Sequence, residues 1–494
     1  MFKLSFLAKV NVMALSDDKV ARFLSSAKQA AATIKETAED KGLIHVFSHL
    51  DADGVAAAGI IGKALTRLQA RFRIRITQWV EEKITEIVTD KPSLVIFSDL
   101  GSGYIDLLSK NLQDLKIVIL DHHQIIGEAS DNFVHVNPHL HGIDGSKDVS
   151  GSGVAYFVAK AIDPVNVDLA SVAVVGALGD LQDKYDQRML GGLNEKIVED
   201  GVKAGVLAVE KDLIFFGRET RPIHKALASS TSPFIPGISG EEDKSSAFLS
   251  NAGIKLRNGE KWRALRDLSE EEKRSLCSAL ADYLLSKGLH YEVSNLIGHV
   301  YVLEKEEPWT PLRDAREFGV LLNAAGRMDK AGLGVAVCMG DRLGALEAAN
   351  RVLEEYRRTI NKYLNWVLES PERMKEFDNI YVVYGEDYIN DKIVGAISSM
   401  LSSGLPNPEK PLIAYANVEE QGIAKFSART TDWVVAEGVN LGDVMQLAAE
   451  KFGGKGGGHD VAAGAQVPLE KVNEFIKFVD DMVGQRLKKK DGGD

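Results

Sequence analysis

The chain has 494 residues, 45% of them hydrophobic and 26% charged, with a formal net charge of -12. That length exceeds one ordinary core and predicts two or three domains, and the composition is that of a soluble globular protein, which excludes collagen-like and disordered classes. Two well-separated cysteines, Cys277 and Cys338, exclude a disulfide framework and a thiolate metal site, while the acidic balance does not advertise a nucleic-acid binder by total charge.

In chain order, residues 1–12 are apolar but interrupted by Lys3 and Lys9 and carry no cleavage-site pattern. They read as an extension of little consequence, too short to span a bilayer, and a cytoplasmic setting without membrane attachment is expected. Met13 is the more natural start, with Ser16 or Asp17 capping a helix to about Ala38. Leu43–Phe47 is a short apolar run that turns polar at Ser48, and Gly54 opens an Ala- and Ile-rich segment. Strand, tight loop and helix follow, and such junctions deliver their loop residues to the C-terminal edge of a parallel sheet. His49, Asp51 and Asp53 alternate in that loop and can converge on one point, as metal ligands do.

Arg71, Arg73 and Arg75 alternate with Phe72, Ile74 and Ile76, a strand with one basic face for which a solvated surface is the plainer reading. Leu94–Phe97 ends in Ser98-Asp99, and Ile117–Leu120 ends in Asp121-His122-His123. A further apolar run, Val172–Leu178, ends in Gly179-Asp180 and can be strand or helix. Between them Ser150-Gly-Ser-Gly153 enters a helix; its amides could receive a phosphate, although a plain N-cap is the simpler expectation. The alternation over about 41–190 predicts a parallel sheet wrapped by helices.

Residues 191–303 change to helical periodicity and read as a helical insertion, with Ser269-Glu-Glu-Glu272 as a capping box. Further basic clusters stand at Arg218, Arg221, His224, Lys225 and at Lys255, Arg257, Lys261, Arg263, Arg266. Residues 304–340 return to the first domain, 341–370 form a long charged connector helix stopped by Ser370-Pro371, and 371–486 form a smaller α/β domain. Near its end, Gly453-Gly-Lys-Gly-Gly-Gly-His459 lets backbone pass close to a ligand and could form an anion nest.

Four acid- or imidazole-bearing ends suggest one cluster. Carboxylates with a few imidazoles and no thiolate favour Mn²⁺ or Mg²⁺, histidine tilting towards manganese, and six or seven ligands are enough for two ions. Two ions about 3.5–4 Å apart are the apparatus of phosphoryl transfer. The set His49-x-Asp51-x-Asp53-Gly, Asp99, Asp121-His122-His123 and Gly179-Asp180 resembles the four motifs of the DHH phosphoesterase superfamily. Gly457-Gly458-His459 with Ala462-Ala-Gly464 resembles its DHHA1 domain, and Leu322-Asn323-Ala-Ala-Gly-Arg327 and Phe426-Ser427-Ala-Arg429 resemble RecJ-type nuclease signatures. Histidine at 49 and the insertion resemble the archaeal RecJ-like, GINS-associated nuclease type.

That resemblance implies one ion on His49, Asp51 and Asp99 and another on Asp53, Asp99, His122 and Asp180. It implies His123 at the scissile phosphate, with Asp121 orienting the histidines and Asp183 outside the ligand set. Arg327, Ser427 and Arg429 would hold a strand phosphate, with an interdomain salt bridge as the rival role for Arg327; His459, Gly457, Gly458 and, more loosely, Asn323 would contact substrate. The implied activity is Mn/Mg-dependent exonucleolysis of single-stranded DNA, 5′ to 3′, or of RNA, the strand threading between the DHH and DHHA1 domains, with GINS and the replicative helicase as partners in replication or repair. Two rivals stand beside it: a phosphodiesterase for very short oligonucleotides or cyclic dinucleotides, and a replication scaffold that binds GINS.

Overall fold

A computed structural model describes residues 15–80, 84, 88–230, 233–402 and 404–491. The expectations for residues 1–12 and for a start at Met13 lie outside the described residues. The chain packs as two units that part between Asn350 and Arg351.

In the first unit, α1 (Asp17–Glu39) buries Phe23, Ala27, Ala30 and Ile34, the i, i+4, i+7, i+11 stripe of an amphipathic helix. Next come β1 (Leu43–His49), α2 (Ala52–Arg67), β2 (Arg71–Thr77), β3 (Leu94–Ser98), α3 (Ile105–Asn111), β4 (Lys116–Leu120) and β5 (Phe133–Val136). The strands form one parallel sheet in the order β2-β1-β3-β4-β5. The strand β3 is buried along its whole length, which is why its sequence is a continuous apolar run rather than an alternating one. At the edge, β2 keeps Arg71, Arg73 and Arg75 exposed, and Arg73 pairs with Asp90 at 2.7 Å. The solvated-face reading therefore describes this strand. The chain runs from β1 outward to β2 and then back across to β3, so the order reverses between β1 and β3. A reversal of this kind opens a crevice at the C-terminal strand ends.

Two apolar helices, α4 (Gly151–Ile162) and α5 (Ala170–Gly179), pack on α2. The ambiguous run before Asp180 is thus helical. Buried on nearly every side, α5 has no polar face to betray its period.

The insertion carries helices α6 (Gly192–Lys203), α7 (Ile223–Ala228), α8 (Glu242–Asn251), α9 (Glu270–Ser286) and α10 (His290–Val293). It also holds strands not anticipated from its periodicity: β6 (Leu207–Leu213) pairs antiparallel with the distant β9 (Ile297–Leu303), and β7 (Arg257–Asn258) and β8 (Lys261–Trp262) form a hairpin. Its core of Leu213, Phe215, Ile223, Leu276, Leu280 and Leu284 is its own.

The capping box at α9 is formed: Ser269 Oγ accepts from Glu272 N, and Glu272 accepts from Ser269 N. Glu272 also takes both arms of Arg263, at 2.8 and 2.6 Å. The Arg263 guanidinium, with help from the Ser269 amide, holds its carboxyl down to about 2. A depressed carboxyl contributes stability above its unfolded value, near 4.5, and loses it as pH falls towards 2. Glu272→Gln is therefore expected to destabilise the protein by about 1–2 kcal/mol at pH 7 and by almost nothing near pH 2, read as the shift in urea midpoint at each pH.

Helices α11 (Ala315–Arg327) and α12 (Ala331–Cys338) return to α2, and the long α13 (Gly344–Leu368) spans the boundary at Asn350. In the second unit β10 (Met374–Glu376), β11 (Tyr381–Tyr384), α14 (Val394–Ser402), β12 (Leu412–Val418), β13 (Ile423–Arg429), α15 (Asp432–Ala436), α16 (Leu441–Lys451), β14 (Lys455–Gly458), β15 (Ala462–Pro468) and α17 (Val472–Asp491) follow. They make a mixed sheet ordered β10-β11-β12-β13-β15-β14 around Tyr415, Phe426 and Phe475. The glycine run, read as a possible anion nest, is largely the edge strand β14: an added Cβ at Gly456 would overlap the Met445 carbonyl oxygen, so only glycine lets α16 and β14 meet. Among the described residues no helix is long and apolar enough to cross a membrane.

Candidate metal centre

The C-terminal ends of β1, β3 and β4 and of α5 converge. Asp51 is the N-cap of α2, its carboxylate accepting from Gly54 N at 3.0 Å, while Asn323 on α11 accepts from Ala52 N at 3.0 Å. Asp53, one residue further, is buried and points at the start of α4: its two oxygens accept from Gly151 N at 2.6 Å and Ser152 N at 3.0 Å. The Ser150–Gly153 turn does receive an anion on its amides, but that anion is the protein's own carboxylate. Ser150 also caps Gly153, as the simpler expectation had it.

Asp99 leaves β3 with φ +56, a left-handed backbone that aspartate adopts more readily than most residues. It is buried, and its Oδ1 has no hydrogen-bond partner, although His122 Nε2 lies 3.2 Å away. From the other side His49 Nδ1 lies 3.9 Å from Asp99 Oδ2 and 2.9 Å from Asp51 Oδ2. His122 Nε2 stands 3.8 Å from Asp53 Oδ2 and 3.9 Å from Asp180 Oδ2. Three groups close enough to hold an ion result, His49–Asp51–Asp99, Asp53–His122–Asp180 and Asp99–Asp121–His122–His123; Asp99 belongs to the first and third and lies against His122 of the second.

The electrostatics suit cations. Burial and the nearby Asp53 and Asp51 carboxylates push the Asp99 carboxyl well above the usual range, and burial pushes Asp180 up to about 6. Burial would raise Asp51 too, but His49 and the Gly54 amide hold it below its ordinary value. Crowded buried carboxylates with an orphaned oxygen are costly alone and are satisfied by divalent charge. His122 Nδ1 is 2.6 Å from the Gly145 carbonyl oxygen; donating there leaves the Nε2 lone pair facing the carboxylates, the tautomer a metal ligand needs.

Asp121 is fully buried and accepts from Ser102 N, His122 N and His123 Nδ1, each at 2.8 Å. It therefore orients both histidines, and they hold its carboxyl far below the usual range against the upward push of burial. The partnership also raises His123 to about 9, overcoming desolvation, while its side chain stays 49% exposed. Asp183 bonds Arg188 and Arg316 instead and stands apart from the cluster.

Sequence reasoning missed Gln182 and Asn194. Gln182 Nε2 donates to Asp180 Oδ2 at 3.0 Å and to the Gly145 oxygen at 2.9 Å, and its Oε1 accepts from Asn194 at 2.8 Å. Only its place two residues after Asp180 hinted at this. Gln182→Leu is expected to weaken Mn²⁺ binding about 10–100-fold, measured by titration calorimetry, with little change in fold.

Arg327 closes α11 and adds its positive charge near Asp51. In the second unit Ser427 and Arg429 lie on β13. Ser427 Oγ is 2.9 Å from Ser398 Oγ, and Arg429 donates to Ser427 and Ser399 at 3.1 and 2.8 Å. Ser398 and Ser399 on α14 are the missed members of that cluster. Gly457 and Gly458 sit in β14 with φ +157 and +140, and His459 follows them, exposed.

The chain matches three family models: the DHH family N-terminal domain over residues 43–177, the DHH-CID domain over 215–297 and the DHHA1 domain over 378–485. It is 33% identical over 456 residues to the uncharacterized protein MJ0831 of Methanocaldococcus jannaschii, covering 91% of this chain and 95% of that one. The chain belongs to the DHH/DHHA1 family. Within this family it is 21% identical over 488 residues to the single-stranded-DNA-specific exonuclease RecJ of Dickeya dadantii, covering 94% of this chain and 70% of RecJ. Its fold is similar to that of RecJ from Thermus thermophilus in complex with Mn²⁺, with TM-score 0.58 and 17% identity over 96% of this chain and 56% of that one. It is also similar to CDC45 from Entamoeba histolytica, with TM-score 0.62 and 13% identity over 93% and 99% of the two chains. DHH/DHHA1 membership, an acidic cluster open to cations and a RecJ-like fold together support divalent metal binding.

Proposed function

We propose that this DHH/DHHA1 protein is a two-metal exonuclease for single-stranded nucleic acid, acting 5′ to 3′ on DNA and open to RNA, with Mn²⁺ preferred over Mg²⁺. The observation that carries the reading is Asp99, an orphaned buried carboxylate held between two sets of ligand atoms. In this reading His49, Asp51 and Asp99 hold one ion and Asp53, Asp99, His122 and Asp180 the other. When bound, the ions supply Lewis acidity that acidifies the attacking water and neutralises the leaving oxygen. The protein's own groups do the rest. Asp121 keeps His123 protonated, so its Nε2–H can donate to the phosphate as charge develops. Arg327, Arg429 and Ser427 match phosphate geometry, and His459 with Gly457 and Gly458 offers donors close to backbone. Asn323 has its side-chain oxygen committed to Ala52 N, so its role is better described as steadying the Asp51–Asp53 loop.

The CDC45 likeness, which is one of fold, favours a second reading: a replication scaffold binding GINS and the helicase. The complete ligand constellation argues for catalysis as well. End-labelled single-stranded DNA, RNA and dinucleotides with Mn²⁺ decide between these readings. Release of mononucleotides from the 5′ end of DNA is expected. Turnover of dinucleotides alone points to the small-substrate rival, and no hydrolysis of any substrate overturns the nuclease reading.

A further inference from the structure

The insertion, together with Trp309 just beyond it, presents cations laid on tryptophans that the metal centre does not use. On the β7–β8 hairpin Arg257 and Trp262 are cross-strand partners, and the guanidinium stacks 3.8 Å from the indole centroid. Asn258 and Lys261 form the next pair and, by strand alternation, face the other way. Lys261 there reaches the ring of Trp309, 5.1 Å from its centroid, and Arg266 lies 4.6 Å from the same ring.

Both indoles are exposed, Trp262 by 40% and Trp309 by 52%. Trp309 is nonetheless fixed: its backbone sits at φ +59, its amide donates to Glu219 at 3.2 Å and its indole N–H to Asp267 at 3.0 Å. A left-handed backbone at a half-exposed tryptophan is the kind of strain that gathers at ligand sites. Beside Trp262 a shallow, open depression is lined by Ser250, Ile254, Lys255, Leu256, Arg257 and Trp262.

The charge here is unbalanced. Arg266 is paired with Glu219 and Arg263 with Glu272, but among the described residues Lys255, Arg257 and Lys261 have no carboxylate within ion-pair distance. Glu260, in the hairpin turn, and Asp267, bonded to the Trp309 indole, are the nearby acids in sequence. Exposed planar rings alternating with uncompensated cations match the two repeating features of a single strand, base faces and phosphates.

We propose that the β7–β8 hairpin with the adjoining Trp309 is an accessory binding surface for single-stranded nucleic acid, the strand passing over both sides of the hairpin, with bases stacking on Trp309 and on the Arg257–Trp262 pair and phosphates meeting Lys255 and Lys261. It deepens the nuclease reading by giving a long strand a second hold away from the metals, yet its test does not depend on hydrolysis.

Binding is measured by fluorescence anisotropy with a labelled 20-nucleotide single strand, using full-length protein made inactive by Asp99→Asn. Trp309→Ala and Trp262→Ala are each expected to weaken binding about tenfold, and Trp309→Phe, which keeps a ring, to restore most of the loss. Lys255→Gln with Lys261→Gln is expected to reduce the slope of log affinity against log salt by about 1.4, that is about 0.7 for each phosphate no longer neutralised, a readout that a packing defect would leave unmoved. In the active protein the same variants are expected to slow hydrolysis of long strands while leaving dinucleotide or trinucleotide hydrolysis within twofold. Unchanged affinity and salt slope in folded variants overturn the proposal and leave the surface to a protein partner; failure of the nuclease reading would instead appear as absent hydrolysis with the binding results intact.

Discussion

Replacing Asp99 with Asn is expected to lower metal-dependent hydrolysis at least about 10³-fold while leaving the fold intact. Asp99 is the one carboxylate among the described residues that faces both candidate ion positions, with Oδ2 towards His49 and Oδ1 towards His122. Losing it removes charge from both, and a loss of about 4 kcal/mol in transition-state stabilisation corresponds to that factor. The variant also separates a ligand from a structural carboxylate. Without metal, the carboxylate is buried beside Asp51 and Asp53 with an unpaired oxygen, so Asn relieves like-charge crowding and the metal-free protein should melt no lower than the parent. Added Mn²⁺ should raise the melting temperature of the parent and leave Asp99→Asn nearly unmoved, since a ligand stabilises only the state that binds it. A full Mn²⁺-induced shift in Asp99→Asn would show that the cluster is not the metal centre.

Gly326→Ala is expected to be the most damaging glycine-to-alanine change among the described residues. Gly326 belongs to the Asn-Ala-Ala-Gly-Arg stretch, and its α-carbon faces the carbonyl of Leu50, the residue before Asp51. A Cβ there would overlap the Leu50 oxygen well inside van der Waals contact. The neighbour is backbone and cannot swing aside, so either α11 or the Asp51–Asp53 loop must move. Overpacking of this kind costs about 1–3 kcal/mol, and a shift of about 1 Å in the loop would lower hydrolysis about 10²-fold. Gly332→Ala supplies the control: it lies in α12, an added Cβ meets nothing within 4 Å, and the change should be neutral or slightly stabilising. Thermal melts and initial rates of the two variants, side by side, make the comparison. Equal behaviour would mean that α11 does not brace the loop.

The Gly326 contact has a counterpart in the same stretch. Asn323 and Gly326 both meet residues 50–52, one by a hydrogen bond and the other by close approach, so the stretch that resembled a substrate motif also packs on the loop that carries Asp51 and Asp53. At its other end α11 is tied to the insertion, where Glu317 accepts from Glu219 N at 2.7 Å and from the Thr220 hydroxyl. One rigid helix thus joins the insertion to the loop that carries Asp51 and Asp53.

Local sequence determined a good deal. Apolar runs that stop abruptly at His49, Asp99 and Asp121 announced buried parallel strands and their polar ends, because a strand covered on both faces has no alternation and its exit must turn polar. The capping box at Ser269 was legible because a helix terminus leaves amides that a nearby side chain can satisfy, and α1 begins where Ser16 or Asp17 was expected to start it, although Ser16 makes no side-chain cap there. What tertiary structure alone decided were the relations between segments far apart in the chain. Whether Val172–Leu178 is helix or strand, that β6 finds β9 across the insertion, that the Gly151 and Ser152 amides hold Asp53, and that Gln182 and Asn194 support Asp180 all depend on contacts with no local periodicity. Chain-local free energy sets where an element begins and ends. Which elements meet, and therefore which carboxylates are forced together at a cost that a cation can offset, is set by burial of surfaces that no single segment contains.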